Sequence, residues 1–295
     1  MSLVINHNLM AMGAARSLNV SYGRLATSVS RLASGLRINS AADDAAGLAI
    51  REMMRTDIRV LNQGMRNAND AISLIQTADG ALSVIDEKLT RMKELAEQAA
   101  TGTYTSAQRL IMDSEYQAMA SEISRISMAT DFNGVKLLDG TLSGTGIGGG
   151  FGNQMKIHFG TGNSSAEDYY YIRIGSATAS ALGVGNSITS TQAGYTISTQ
   201  SAAQVALEAI ELAVQSKDTI RAGLGAVSNR LSNTISNLSI QAENLQAAES
   251  RISDVDVATE MTEFTRNQIL TQAAVAMLAQ ANTLPQLALQ LIGGQ

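Results

Sequence analysis

Residues 54–99 read MRTDIRVLNQGMRNANDAISLIQTADGALSVIDEKLTRMKELAEQA. Along them Met54, Ile58, Leu61, Met65, Ala68, Ile72, Ile75, Ala78, Leu82, Ile85, Leu89, Met92, Ala96 and Ala99 recur at alternating steps of four and three, with one extra step of three at Ala78. A mean step of about 3.5 residues places every one of them on a single seam of an α-helix, and keeps that seam facing a partner when the helices supercoil. The doubled three overwinds the supercoil locally. No proline interrupts the run, and the chain's only proline is Pro285. The stretch therefore predicts a long helix within a coiled coil, not the short helix of a thick globular core.

The same step spreads outward in both directions. Upstream, Ala11, Ala15, Leu18, Tyr22, Leu25, Val29, Leu32 and Leu36 form one stripe. Downstream, a helix is expected from Thr105, where Thr as N-cap and Gln108 at the third helical position make a capping box, with Met112, Tyr116, Met119, Ile123 and Ile126 on its apolar face. Near the other end, Ile220, Leu224, Val227, Leu231, Thr234, Leu238, Gln241, Leu245, Ala248, Ile252 and Val255 alternate four and three throughout. A last seam follows at Leu270, Ala274, Met277, Ala281, Leu284, Ala288 and Leu291, which Pro285 is expected to kink or end. Asn39-Ser40-Ala41-Ala42-Asp43-Asp44 reads as a break between helices with a fresh N-terminus after it, and Ser253-Asp254 as its counterpart.

Residues 139–200 differ. They hold 13 of the 25 glycines and only five charges, Asp139, Lys156, Glu167, Asp168 and Arg173. Met155–Phe159 and Tyr169–Ile174 read as strands joined by the polar loop 160–165, a small β-hairpin amid flexible polar sequence. The fold class that results is mainly α: a long hairpin-like helical bundle or coiled coil built from paired N- and C-terminal flanks, with a small central insert containing a β-hairpin.

Composition narrows function. The net charge of −5 argues against a general nucleic-acid binder, which needs surplus Lys and Arg. Cysteine is absent, removing disulfides and thiolate chemistry. No apolar run is long enough to span a membrane, and the first twenty residues lack a basic start followed by an apolar block. His7 and His158 lie in unrelated segments, no HExxH motif occurs, and Gly144–Gly149 matches GxGxxG only within a Gly-rich run that a strand follows, so it reads as a linker. The acidic pairs Asp43-Asp44 and Asp254/Asp256 read as caps in preference to cation ligands. No catalytic, metal or cofactor residues are assigned, and an enzyme is not expected.

The terminal stripes are Ala-rich and thin. At roughly 25 cal/mol per Å² of apolar area, two such helices cannot offset their own ordering entropy. They are expected to pair with each other and to order mainly by packing against further copies of the chain.

Ser30-Arg31-Leu32-Ala33-Ser34-Gly35-Leu36-Arg37-Ile38-Asn39-Ser40-Ala41-Ala42-Asp43-Asp44-Ala45-Ala46-Gly47 resembles the N-terminal signature of the bacterial flagellin family, with Ala42 where that family usually has Lys. Phe132–Leu138, Arg251–Asp256, Gln268–Ala273 and Ala276–Asn282 resemble further family motifs in the family's order, so the likeness covers about four fifths of the chain. The resemblance implies three regions: an inner coiled-coil polymerisation domain at 1–45 with 256–295, a helical rod at 46–140 with 200–255, and a small Gly/Ser/Thr-rich insert at 141–199. It implies a structural subunit that polymerises into the extracellular flagellar filament for swimming, exported without a cleaved signal peptide. The alternatives are a hook–filament junction protein, and further off a secreted coiled-coil effector or adhesin. The polymerisation seam is placed on Leu18, Tyr22, Leu25, Val29, Leu32, Leu36, Leu270, Ala274, Met277, Ala281, Leu284 and Leu291. The rod core is placed on Leu61, Ile72, Leu82, Leu89, Leu224, Leu231, Leu238 and Leu245. Implied partners are other copies in an open helical homopolymer, the flagellar export apparatus, an export chaperone on the C-terminal region, and filament cap and junction proteins, with no nucleic acid and no membrane. A vertebrate innate immune receptor is a further implied partner, at Arg91, Leu95 and Glu115. Ser176, Thr178, Ser180, Ser187, Thr189, Ser190 and Thr191 are candidate O-glycosylation positions.

Overall fold

The computed structural model describes residues 7–144, 154–164, 167–184 and 196–293, with side chains described up to Thr283. Among these residues five helices form: α1 (Leu9–Ser34), α2 (Ala45–Ala100), α3 (Ser106–Ala129), α4 (Gln200–Ser253) and α5 (Val257–Gly293). Two antiparallel hairpins lie between α3 and α4: β1 (Asp131–Phe132) with β2 (Val135–Lys136), and β3 (Met155–His158) with β4 (Tyr169–Ile172). The chain divides into two compact units, Met1–Ile58 with Glu243–Gln295, and Arg59–Ala242.

The larger unit has a dry core. The seam read from 54–99 supplies Ile75, Leu82, Ile85, Leu89 and Met92, all buried, and Leu74 and Leu95 widen it. Burying each such side chain contributes about 1.5–3 kcal/mol. From α3 come Tyr116, Ala120 and Ile123; from α4, Ala203, Ala206, Ile210, Ala213, Leu224 and Leu231. α3 starts as its sequence requires: Thr105 accepts from the Gln108 N–H, and the Gln108 side chain accepts from the Thr105 N–H at 2.8 Å. The turn before it is tied down by Arg109, which donates to the carbonyls of Ala99 (2.8 Å) and Thr101 (2.7 Å), answering two of the orphan acceptors at and just beyond the α2 C-terminus. Burial pushes the Tyr116 phenol up.

The insert is less of a polar linker than its composition indicates. Leu142, Ile172, Ile174, Ala177, Ala179, Leu182, Val184 and Ile197 are buried in the same core as α2, α3 and α4. The β3–β4 hairpin lies against two helices. The Asn67 amide donates to the His158 carbonyl at 2.9 Å. Gly64 faces the Phe159 carbonyl so closely that any Cβ there would collide with backbone. The Arg230 guanidinium sits 3.5 Å over the Tyr170 ring. The remainder of the insert, with GxGxxG positions 145–149 and Ser187, Thr189, Ser190 and Thr191, lies outside the described residues.

In the smaller unit α1 packs along α5. The two run antiparallel: Asn8 donates to the Ala281 carbonyl at 2.7 Å, and Leu36 bridges Asp254. Asn8 also caps α1, accepting from the Ala11 N–H at 3.0 Å. At the other end Gly35 closes α1 in the left-handed conformation, φ 71°, where a side chain would be strained. α5 continues as helix to Gly293, so Pro285 does not end it. The helix carries the ring at the cost of one ladder hydrogen bond and of the steric conflict with the carbonyl four residues back.

Candidate functional site: the terminal helix pair

Gly35 and its neighbours stitch the break after α1 to the turn between α4 and α5. The Arg37 N–H donates to the Ser253 carbonyl (2.7 Å), the Val255 N–H to the Gly35 carbonyl (3.1 Å), and the Arg37 guanidinium to the Ile252 carbonyl (2.6 Å). Both acidic motifs include a cap, and in the first it is Asp44, whose carboxylate accepts from the Gly47 N–H at 2.9 Å at the start of α2. The Asp43 carboxylate accepts from the N–H groups of Asn39 and Ser40 and from the Ser40 hydroxyl, and these bonds hold its pKa below the usual 3.8, with the Ser40 N–H the largest cause. Asp256 opens α5, accepting from the Thr259 hydroxyl (2.7 Å) and the Ala258 N–H (3.0 Å), and is likewise lowered, chiefly by Thr259. Arg51, buried, donates to the Ile38 carbonyl at 2.7 Å. Arg55 pairs with Glu249 at 2.9 Å.

Along the α1–α5 pair, the fully buried positions are small or polar, and Leu18, Leu25, Leu32, Phe264 and Leu278 are half-buried beside them. Ser21 and Ser28 are buried on α1, and Glu260, Asn267, Thr271 and Ala281 on α5. Thr271 satisfies its hydroxyl by donating to the Asn267 carbonyl at 2.7 Å, and Arg31 approaches both Glu260 (3.7 Å) and Asp43 (3.9 Å). Other large apolar side chains stand outside. Tyr22 is 52% exposed, Val29 48% and Met277 63%, and Leu9, Met10, Met12, Val20, Ile269, Leu270 and Val275 are exposed with them.

The expected seam thus divides. Leu18, Leu25, Leu32, Leu36 and Ala274 are half-buried and Ala281 is buried, whereas Tyr22, Val29, Leu270 and Met277 remain open in the single chain. Leu284 and Leu291 lie on α5 beyond the described side chains. The expected stripe stepped through Tyr22 and Val29; the buried positions are one residue earlier, at Ser21 and Ser28. Apolarity alone misses them, but a small residue every seventh position, with Ser21, Ser28 and also Ala14 on the same face, is a readable sign of a close helix contact. Of the expected rod core, Leu61, Leu82, Leu89, Leu224, Leu231 and Leu238 are buried and Ile72 and Leu245 half-buried. Lys217 also sits at a buried seam position, paired with Asp86 (2.5 Å) and Asp218 (2.7 Å), which no apolar stripe reveals.

Leu95 departs from its expected role as a receptor contact. It is 1% exposed and belongs to the core, while Arg91 and Glu115 form an exposed pair at 2.9 Å, with Glu94 on the same guanidinium. On the insert, Ser176 and Thr178 are half-buried and Ser180 is exposed. An open cleft of about 710 Å³ lies in the larger unit among Gly160, Thr161, Asp168, Asn229, Asn233, Asn237 and Gln241. Its Asp168 is committed to the hairpin loop, accepting from the Ser164 and Gly162 N–H groups, which lower its pKa.

A dry-cored helical unit joined in sequence to a helix pair with its apolar side chains outward defines a class: structural, coiled-coil proteins whose termini carry unused contact surface. Comparison with known proteins narrows the class. Residues 5–143 match the model of the bacterial flagellin N-terminal helical region, and 207–292 that of the bacterial flagellin C-terminal helical region. A flagellin of Halalkalibacterium halodurans is 44% identical over 290 residues, covering 98% of this chain and all of the relative. A flagellin of Bacillus subtilis is 44% identical, covering 98% and 99%. A flagellar filament core protein of Treponema maltophilum is 38% identical, covering 98% and 100%. The crystal structure of Bacillus cereus flagellin aligns with a TM-score of 0.47 at 30% identity, over 62% of this chain and 94% of that one. The chain belongs to the bacterial flagellin family. It is a structural subunit of the extracellular flagellar filament, the family in which subunits polymerise with their own kind.

Proposed function

We propose that the α1–α5 pair is the polymerisation element, and that its outward apolar side chains are covered by other copies of this chain. One observation carries the reading: the pair buries Ser21, Ser28, Asn267 and Thr271 while leaving Tyr22, Val29, Leu270 and Met277 in water. Large apolar side chains left open in such number on one helix pair are a mark of association. A repeating heterologous contact between one face and a different face of the next copy grows an open helix. The inner region at 1–45 with 256–295, the helical region at 46–140 with 200–255 and the insert at 141–199 then have separate roles: assembly, stiffness, and bracing. The filament drives swimming because such helical packing transmits torque.

The remaining partners belong to the same proposal. The chain passes through the flagellar export apparatus without signal cleavage, its C-terminal seam held by an export chaperone, and meets cap and junction proteins at the filament's ends. A host innate receptor, if it reads this chain, does so through Arg91 and Glu115, with Leu95 shaping the helix surface from beneath.

Seeded growth tests the central reading. Purified monomer added to sheared filament fragments is expected to extend them into long filaments. Monomer that binds the fragments but adds only a short terminal ring would favour the junction-protein alternative.

A further inference from the structure

Methionines are distributed unevenly between the two units. In the larger unit Met92 is buried and Met65, Met112, Met119 and Met155 are half-buried, leaving only Met128 open. Among the described residues of the smaller unit, Met10, Met12, Met53, Met261 and Met277 are exposed, from 46% at Met261 to 68% at Met53, and only Met54 is half-buried. Four of these five lie on the α1–α5 pair. The register fixed by Asn8 with Ala281 and Leu36 with Asp254 sets Met12 level with Met277, and Leu9, Met10 and Val275 lie close by in sequence and are exposed too.

We propose that Met10, Met12, Met261 and Met277 are an oxidation site that controls assembly: peroxide-class oxidants convert their thioethers to sulfoxides in the free subunit and thereby disable it for polymerisation. The inference rests on the polymerisation reading above. An unbranched thioether is a flexible apolar contact that adapts to a neighbour's surface. Its sulfoxide is polar and chiral, and disrupts such an interface. In the reaction a sulfur lone pair attacks one peroxide oxygen and the O–O bond breaks. The sulfur is oxidised by two electrons, and the departing hydroxide takes up a proton and leaves as water. Exposure decides which sulfurs react, so the free subunit is vulnerable at its contact surface while its core methionine Met92 is shielded. Once copies cover that surface the same four thioethers are shielded as well. An incorporated subunit is therefore resistant, and the free folded subunit is the form that is lost. With no cysteine in the chain, methionine is the residue on which a mild peroxide acts.

The experiment treats full-length monomer and intact filaments with hydrogen peroxide, maps oxygen incorporation by peptide mass spectrometry, and measures extension of sheared filament seeds by the treated and untreated monomer. Expected are oxygen gain in the monomer at Met10, Met12, Met261 and Met277 and at the equally exposed Met53 and Met128, loss of the gain at the first four in the filament, an unoxidised Met92 in both, and a fall in seed extension of about tenfold or more, equivalent to about 1.4 kcal/mol. A chain carrying Met10→Leu, Met12→Leu, Met261→Leu and Met277→Leu, which keeps apolar volume, is expected to extend seeds after peroxide as well as the same chain does untreated, whatever its untreated rate. Untreated monomer that extends seeds while oxidised monomer extends them equally well overturns the proposal and leaves the polymerisation reading standing. The same holds if the leucine chain loses extension after peroxide, because the lesion then lies elsewhere. Untreated monomer that fails on the seeds overturns the polymerisation reading and this inference with it.

Discussion

The two units bury their apolar side chains to different depths. Between α2, α3 and α4, leucine, isoleucine and tyrosine point inward and the surface carries charges such as the Arg91–Glu115 and Arg221–Asp79 pairs. Between α1 and α5 the fully buried positions are mostly serine, threonine and asparagine, large side chains such as Leu18, Leu25, Leu32 and Phe264 are only half-buried, and tyrosine, valine and methionine stand open. The first arrangement is finished within one chain. The second is finished only when something apolar arrives. A sequence that encodes both has separated the task of folding from the task of assembling.

Replacing 154–174 by a short turn would break the comparison most severely. It removes Ile172, Ile174 and the backbone that packs on Gly64, so the larger unit is expected to lose more than about 5 kcal/mol by combined core loss. Chemical denaturation read by circular dichroism checks this; an unchanged midpoint would restore the view of the insert as a dispensable linker. Next comes Met277→Asp. The side chain is solvated in the monomer, so helix content and melting should not move, while seeded extension should fall by a hundredfold or more, since burying an uncompensated carboxylate costs about 3–5 kcal/mol. Electron microscopy of the seeds reads the result.

Leu82→Ala and Leu25→Ala sharpen the contrast as a pair. Leu82 is fully buried in the larger unit, and its truncation should cost about 3 kcal/mol in monomer stability. Leu25, half-buried on α1, should cost under about 1 kcal/mol in the monomer and act mainly on filament growth. The smallest effect is that of acid. Asp43 and Asp256 are held below 3.8 by hydrogen bonds present only in the fold. They stabilise the smaller unit above that pH, and the contribution is lost as pH falls through their lowered folded values. A melt between pH 5 and pH 2 should show the smaller unit loosening on the acid side, and Asp43→Asn should flatten that response.

The larger unit was legible because its helices follow one rule: the 54–99 seam becomes buried in almost every position from Leu61 to Ala99, and the Thr105–Gln108 box opens α3 as read. The terminal pair was legible in its helices and in its partner but displaced by one residue in its interior. Reading apolarity selected Tyr22 and Val29; packing selected Ser21 and Ser28, because a close pair of helices admits small side chains and sends large ones outside. The insert was legible as a hairpin, β3 and β4 falling where Met155–Phe159 and Tyr169–Ile174 had indicated. Its burial was hidden, since glycine and serine dominate the composition while isolated residues such as Leu182, Val184 and Ile197, far apart in sequence, make the contacts. Lys217 was hidden for a different reason: a lysine enters a seam only when carboxylates accompany it, here Asp86 from α2 and the adjacent Asp218.

Backbone amide exchange, followed residue by residue in dilute monomer and in assembled filament, examines the claim that the terminal pair is completed by other molecules. Amides of Leu9–Ser34 and of 257–283 are expected to exchange fast in the monomer and to become slow in the filament, while those of α2 from Leu74 to Ala99 stay slow in both. Equal protection of the terminal helices in the two states would contradict the account.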